Sequence, residues 1–439
     1  MKTPAQLLTA LKMVIRNEGP GYAAMAVGYK IHRRLKNGLV YPLCKKHYQK
    51  IIQEALAGSN RIFLWKSSFG WQNILYQRPQ HITMALAKAG NTVFYQASWS
   101  RDRHIEDLTR IQDGVYLFNA DNKTFYRMLI NSLSETPCPK YLQVYSTDLD
   151  LSLHDVQRFR EKGFFWLYEY VDDLAPEIAG STSLPHQIVE KYEAAMHDSS
   201  VPIVVTADRL ARDVIAHRGK KNVCYASNGV NPDDFSREKW KGPVKKEFEN
   251  VLKKGKPIVG YYGALAKWFD YELLRQAALA LPEVEFVLIG KNYDGSLNAS
   301  GITQLENVCF LGDVPYAHLP RYAGCFAVCT IPFEINSITN ATSPLKLFEY
   351  MALGKPIVTT DMLECRKYKS VFCAKNAQEY IHLIRHVLEP SFAENVAYFD
   401  LLAREAAENT WNEKARTILA MLNAYEQDNM HESFNYLLF

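Results

Sequence analysis

The run Ser343-Pro344-Leu345-Lys346-Leu347-Phe348-Glu349 sets a cation, a carboxylate and a helix start close together. On a helical wheel begun at Leu345, the apolar residues Leu345, Leu347, Phe348, Met351, Ala352 and Leu353 span a broad arc. Glu349 falls about 40° from Leu345, inside that arc. A carboxylate on a buried face is costly unless something hydrogen-bonds to it. Lys346, three residues earlier, shares the face. Ser343 suits an N-cap and Pro344 the first helical turn, which places Lys346 beside free backbone N–H groups at the positive end of the helix dipole. The chemistry this predicts is a clamp on one ligand, with Lys346 and the helix start on phosphates and Glu349 on two neighbouring sugar hydroxyls. The competing reading, a plain i,i+3 ion pair, leaves the apolar company of Glu349 unexplained.

A second cluster lies in "YEYVDDLAPEIAG". Asp172 and Asp173 follow a strongly apolar strand, and either is a candidate general base, since each ionised carboxylate raises the pKa of its neighbour. Asp173 is equally suited to capping the next turn, and Glu169 is a weaker candidate. In "FGWQNILYQRPQH", Arg78 and His81 open a helix and are expected to face the same cleft as these carboxylates, with His81 either catalytic or structural. Gly263 in "YYGALAKWFD" permits close backbone approach to a diphosphate, and Lys267 could stabilise a leaving group; Trp268 and Phe269 read as packing. Asp148 and Asp150 form a D-x-D in "YSTDLDLSL", better read as a loop or helix cap than as a metal site. The eight cysteines contain no CxxC pair and no metal-ligand spacing, and with Lys346 and the helix dipole doing the work of a cation, a metal-independent reaction without a cofactor is expected.

The elements that must position these residues alternate. From residue 61, short β-branched and aromatic runs such as "RIFLW", "NTVFYQA", "YLQVYS" and "PIVVTA" are separated by helical stretches, the pattern of a parallel sheet with crossover helices. Charge takes over near "NPDDFSREKWKGPVKKEFENVLKKGK", and the alternation restarts with "PIVGYYG", "VEFVLIG", "FAVCTIPF" and "PIVTT". The fold expected is α/β, two tandem doubly wound Rossmann-like domains facing a cleft. Its divisions are a basic helical extension over 1–58, a first Rossmann-like domain over 59–230 and a linker over 231–256. A second Rossmann-like domain over 257–410 follows, then a final helical segment over 411–439. Ligands of such sheets sit beyond the carboxyl ends of the strands.

Charge is unevenly spread. Residues 1–60 carry ten Lys or Arg against Glu18 and Glu54, a balance of +8, so with +4 overall the remainder carries −4. Two helical stretches are expected here, "TPAQLLTALKMVIRNEG" and "AAMAVGYKIHRRLKNG". Two compatible readings follow: an appendage packed on the body with a solvated basic face, or a surface resting on anionic lipid through residues 1–55. No apolar stretch is long enough to span a bilayer. The expected location is cytoplasmic, peripheral at the inner face of the membrane in the second reading. No nucleic-acid module is present, and none is expected as partner.

The stretch "SPLKLFEYMALGKPIVTT", with "QRPQHITMALAKAG", "SNGVNPDDF" and "YYGALAKWFDYELL" in order, resembles GT-B glycosyltransferases, particularly the group-1/family-4-like enzymes, over roughly residues 61–425. The resemblance implies a glycosyltransferase that takes a nucleotide sugar, UDP-linked by mild preference, with Glu349 on the ribose and Lys346 on the diphosphate. The resemblance also implies that the domain over 59–230 takes the acceptor, with Arg78 and His81 on that side. It implies that the domain over 257–410 takes the donor and that the helix over 411–439 crosses back to the first domain. The acceptor implied is a glycan or a lipid-linked hydroxyl. Many family-4 enzymes carry a second glutamate eight positions earlier; here that position is Ala341, and Asn336, Thr339, Asn340 and Thr342 are the neutral groups available to the sugar. Retention and inversion stay open. A UDP-sugar epimerase on the same fold, or a non-catalytic nucleotide-sugar or glycan-binding subunit, are the alternatives.

Overall fold

A computed structural model of the chain describes residues 20–67, 69–72, 76–98, 100–174 and 183–436. The helix expected over residues 3–19 lies outside them. The chain is α/β with two Rossmann-like parallel sheets, as the alternation predicts, and it divides into two compact units.

The first unit comprises Met1–Asn73, Gly90–Gln143 and His154–Phe165. Its strands β1 (Ile62–Trp65), β2 (Thr92–Gln96), β3 (Leu108–Gln112), β4 (Val115–Phe118) and β5 (Lys140–Tyr145) run in the order β3-β4-β2-β1-β5. β1 pairs in parallel with β2 and β5, and all four of its residues are buried, as its unbroken apolar run requires. β3 pairs antiparallel with β4 and shifts register between Arg110 and Gln112. Its sequence, LTRIQ, has neither an apolar run nor a clean alternation, and reading the sequence alone misses it.

Helix Pro20–Leu39 sits on this unit by polar contacts. Arg33, 4% exposed, hydrogen-bonds the Tyr41 hydroxyl, the Glu106 carboxylate at 2.6 Å and the Ile105 carbonyl at 3.2 Å. The Tyr29 hydroxyl donates to Asp121 at 3.0 Å, and Asn37 Nδ2 donates to the Asp121 carbonyl at 2.8 Å. At this helix the expected face is thus reversed: an arginine of the basic cluster points inward.

The second unit comprises Ile74–Ala89, Val144–Leu153 and Trp166–Phe439. β6 (Phe165–Tyr170), β7 (Ile203–Val205) and β8 (Val223–Tyr225) pair in parallel. Downstream, β9 (Ile258–Tyr262), β10 (Glu285–Ile289), β11 (Val308–Phe310), β12 (Val328–Ile331), β13 (Ile357–Thr360) and β14 (Val371–Ala374) form a parallel sheet of order β11-β10-β9-β12-β13-β14. Strand order reverses at β9, flanked by β10 and β12, and a crevice opens beyond the carboxyl ends at such a switch point. The segment read as a linker over 231–256 folds into 3-10 turns and the helix Lys246–Lys253, and buries Phe235 and Phe248 in the core of this sheet. The final helix, Trp411–Tyr436, packs on helix Arg78–Lys88, where Trp411 stacks on His81 with ring centroids 5.0 Å apart.

Two glycines shape the carboxyl edge of the sheet. Gly290, just after β10, has φ 134°, and a Cβ there would meet the Gly263 carbonyl oxygen at 2.0 Å. Gly290→Ala is therefore expected to lower stability by about 2 kcal/mol or more in urea unfolding. Gly28→Ala, a helical position with no atom within 4 Å, is expected to leave stability unchanged or slightly raised.

Candidate functional site

A cavity of about 410 Å³ opens at this switch point, and every residue lining it belongs to the second unit. One wall is the carboxyl edge of the sheet: Tyr261, Tyr262 and Gly263 after β9, Gly290 after β10 and Phe333 after β12. Thr339, Thr342, Ser343, Pro344, Leu345, Lys346 and Glu349 continue it. Tyr76, Gln77, Arg78, Pro79, Tyr145, Val171, Asp172 and Asn228 form the other side.

Glu349 lies on helix Leu345–Ala352 and is 2% exposed. Burial pushes its pKa up to about 7, and the nearby Tyr262 and Tyr316 hydroxyls and the Lys346 charge pull it back toward normal. Those hydroxyls lie near the carboxylate, yet neither makes a well-formed hydrogen bond: Glu349 Oε1, Tyr262 Oη and Tyr316 Oη are all buried and unpartnered. The Lys346 ammonium sits 4.8 Å from the Phe333 ring centroid and 5.3 Å from that of Tyr261. Burial lowers its pKa to about 8, with Glu349 acting in the opposite direction. No salt bridge or hydrogen bond ties this ammonium to a described residue. A simple ion pair with Glu349, the competing reading of the sequence, is thus absent. Both charges are left for something else to satisfy.

The helix start differs from the expected form. Pro344, not Ser343, is the N-cap, and no side chain caps the helix. Ser343 turns to Asn228 instead, its Oγ accepting from the Asn228 backbone N–H at 3.2 Å and its carbonyl from Asn228 Nδ2 at 2.7 Å. The first N–H groups are left without a side-chain acceptor at the cavity wall, where positive potential from the dipole adds to Lys346.

Across the cavity, Asp172 is half-buried; burial raises its pKa, Arg78 lowers it and Asp173 raises it again. Arg78, 5% exposed, donates from Nε to Glu169 at 2.8 Å and from Nη1 to the Ser227 carbonyl at 3.0 Å, and its Nη2 is buried and unpartnered. Glu169 is thereby a buried partner of Arg78. Asp173 lies off the cavity, its carboxylate 3.4 Å from Arg209.

Three other expected residues are elsewhere. His81 is 5% exposed, stacked on Trp411 and edge-on to Tyr76 and Tyr316; burial lowers its pKa to about 3, so it is neutral and does not line the cavity. Lys267 is exposed and off the cavity, while Trp268, read as packing, lines it. Asn340 Oδ1 accepts from the Leu363 N–H at 3.3 Å, also off the cavity. Thr342 lines the cavity, though its hydroxyl is used on the Ile338 carbonyl at 2.9 Å. Asp148 Oδ1 accepts from the Asp150 N–H at 3.0 Å, the loop role expected of it. Gly290, Tyr145, Asn228 and Tyr316 escaped the sequence reading. Only Gly290 carried a signal, closing the apolar run "VEFVLIG" as Gly263 closes "PIVGYYG".

Residues 256–390 match the family model of glycosyl transferases group 1. TuaH of Bacillus subtilis (strain 168), a protein named for teichuronic acid biosynthesis as a glycosyltransferase, is 25% identical over 214 residues, or 47% of this chain. The chain spans about half of that relative, 53% of its length. Sucrose-phosphate synthase from Thermosynechococcus elongatus superposes with a TM-score of 0.62 at 17% identity, covering 85% of this chain and 100% of the other. Anabaena Alr3699/HepE, solved in complex with UDP and glucose, gives 0.57 at 14%, covering 83% and 99%. At these identities the superpositions establish the fold, which is GT-B.

The buried carboxylate makes stability depend on pH. Its folded pKa, about 7, exceeds the ordinary 4.5, so the folded chain holds a proton that the unfolded chain releases first. The stabilising contribution of the protonated form is complete below about pH 4.5 and is lost as pH rises to about 7. Glu349→Gln is expected to remove this decline, making the variant more stable than the wild type by about 1–3 kcal/mol at pH 8 and equal to it at pH 4 in urea unfolding.

Proposed function

We propose that this chain, whose residues 256–390 are a glycosyl transferases group 1 domain, moves a sugar from a nucleoside diphosphate to a hydroxyl of a glycan or lipid-linked acceptor, with no metal ion taking part. The observation that carries the reading is the pair Lys346 and Glu349 on one wall of one cavity, the ammonium with no hydrogen bond or ion pair to a described residue and the carboxylate with Oε1 buried and unpartnered. Lys346 and the uncapped helix start would hold the diphosphate and neutralise the charge that grows on it as its bond to the sugar breaks. Glu349, ionised, can accept hydrogens from two vicinal ribose hydroxyls, which supplies the hydrogen bonds it lacks. Gly263 and Gly290 let the ligand approach bare backbone. Opposite them, Asp172 would take the proton from the acceptor hydroxyl as that oxygen bonds to the sugar, and Arg78 Nη2 would hold the acceptor.

UDP is the nucleotide favoured, because HepE, a structural relative, is recorded with UDP and glucose. A polysaccharide acceptor follows from the name of TuaH, which places that protein in teichuronic acid biosynthesis. The setting that suits such a reaction is the cytoplasmic face of a membrane.

Thermal unfolding against UDP, GDP, ADP, CMP and their common sugars tests the donor. One UDP ligand is expected to raise the midpoint, as a ligand of the folded state must, and to lose that effect in Lys346→Ala and Glu349→Ala. A flat response from the wild type overturns the reading. Asp172→Asn is expected to keep the stabilisation by UDP and to lower kcat for transfer by about 100-fold or more.

A further inference from the structure

Helix Pro20–Leu39 is amphipathic in the reverse of the usual sense. Its inward row, Tyr29, Arg33 and Asn37, is polar and holds the helix through the hydrogen bonds to Asp121, Glu106 and the Ile105 carbonyl. Its outward row, Val27, Ile31, Leu35 and Leu39, is apolar and 42%, 57%, 58% and 70% exposed. The two rows are offset by two residues, about 200° around a helix, and so face opposite ways. The apolar surface continues past the helix end through Val40, 47% exposed, and Leu43, 84% exposed. A helix docked by hydrophobic burial would sit half a turn round. Here the buried guanidinium of Arg33 fixes the rotation and leaves the apolar row outside.

The charges around that row share one sign. Between Glu18 and Glu54 the chain contains no Asp or Glu. Lys30 and Arg34, both exposed, border the row on one side, and Lys45, Lys46 and Lys50 are exposed just beyond Leu43. A row of aliphatic side chains whose charged neighbours along the chain are all cations matches the boundary of an anionic bilayer, with acyl chains below and phosphate groups beside them. No helix of the described residues is long and apolar enough to cross a membrane. We propose that helix Pro20–Leu39 lies along an anionic lipid surface through Val27, Ile31, Leu35 and Leu39, with Lys30 and Arg34 on lipid phosphates. The proposal is independent of the transfer reaction and stands or falls without it.

The test is sedimentation of the full chain with vesicles of phosphatidylcholine alone and with about one-third phosphatidylglycerol, whose negative surface potential draws such basic segments. The wild type is expected to sediment with the anionic vesicles only, and less so at about 0.5 M salt. Ile31→Ser with Leu35→Ser is expected to weaken this binding by roughly tenfold or more, and Lys30→Glu with Arg34→Glu likewise. Leu252→Ser with Leu279→Ser, at positions 40% and 64% exposed elsewhere on the chain, is expected to change nothing. Thermal midpoints confirm that each chain is folded; the charge pair, fully on the surface, supplies the result if the serine pair is unstable. Failure of the wild type to bind anionic vesicles overturns the proposal, as does wild-type binding by both the serine pair and the glutamate pair. A wild-type dimer that the Ile31→Ser, Leu35→Ser chain cannot form, with lipid binding absent, would assign the row to a second copy instead.

Discussion

The contact of Gly263 with Gly290 is the constraint on which the rest of the site depends. Both residues carry φ near 140°, and the carbonyl of one occupies the space where a side chain of the other would stand. Only bare backbone lets β9 and β10 end this close together. Beyond them the Lys346 ammonium lies over Phe333 and Tyr261, with Glu349 lining the same cavity. A Cβ on Gly263 would meet Lys346 Cε at 2.8 Å and the Tyr261 hydroxyl at 2.9 Å, and one on Gly290 would meet the Gly263 carbonyl oxygen. The strand order of the sheet makes the crevice, and two missing methyl groups keep it open.

Both Rossmann-like sheets could be read from the sequence, because parallel strands buried on both faces appear as unbroken apolar runs. Glu349 was legible for a related reason: a carboxylate inside an apolar arc contradicts the pattern around it, and such contradictions collect at functional sites. What escaped reading depends on tertiary placement. Asp172 and Asp173 are alike in type and adjacent in sequence, and only the fold turns the first to the cavity and the second to Arg209. His81 could be read as catalytic or structural; the Trp411 indole stacked on its face leaves it 5% exposed and away from the cavity lining. Ser343 had the right residue type for a cap, but Asn228, more than a hundred positions away, claims both its hydroxyl and its carbonyl. The edge strand Leu108–Gln112 is partly exposed and carries no periodicity to find.

Helix Pro20–Leu39 shows the limit of composition as a guide. Its residues predict an amphipathic helix under any rotation, and the usual assumption places the apolar side inward. Glu106 and Arg33 reverse it. The buried Arg33 guanidinium, held by the partly exposed Glu106 carboxylate, the Tyr41 hydroxyl and a carbonyl, docks this helix with four aliphatic side chains left in water. An ion pair half in solvent adds little net stability, but a guanidinium with several fixed partners is exacting about orientation. Orientation is what this helix needs from them.

The stacking of Trp411 on His81 has a consequence for how the molecule is made. Helix Arg78–Lys88, which presents Arg78 to the cavity, is synthesised early, whereas the helix that braces it begins at Trp411. A ribosome releases Lys346 and Glu349 before the wall opposite them has its support. The cavity thus acquires its finished form only after the segment that begins at Trp411 has joined the rest. One pair of stacked rings ties the placing of an early helix to a stretch of chain made much later.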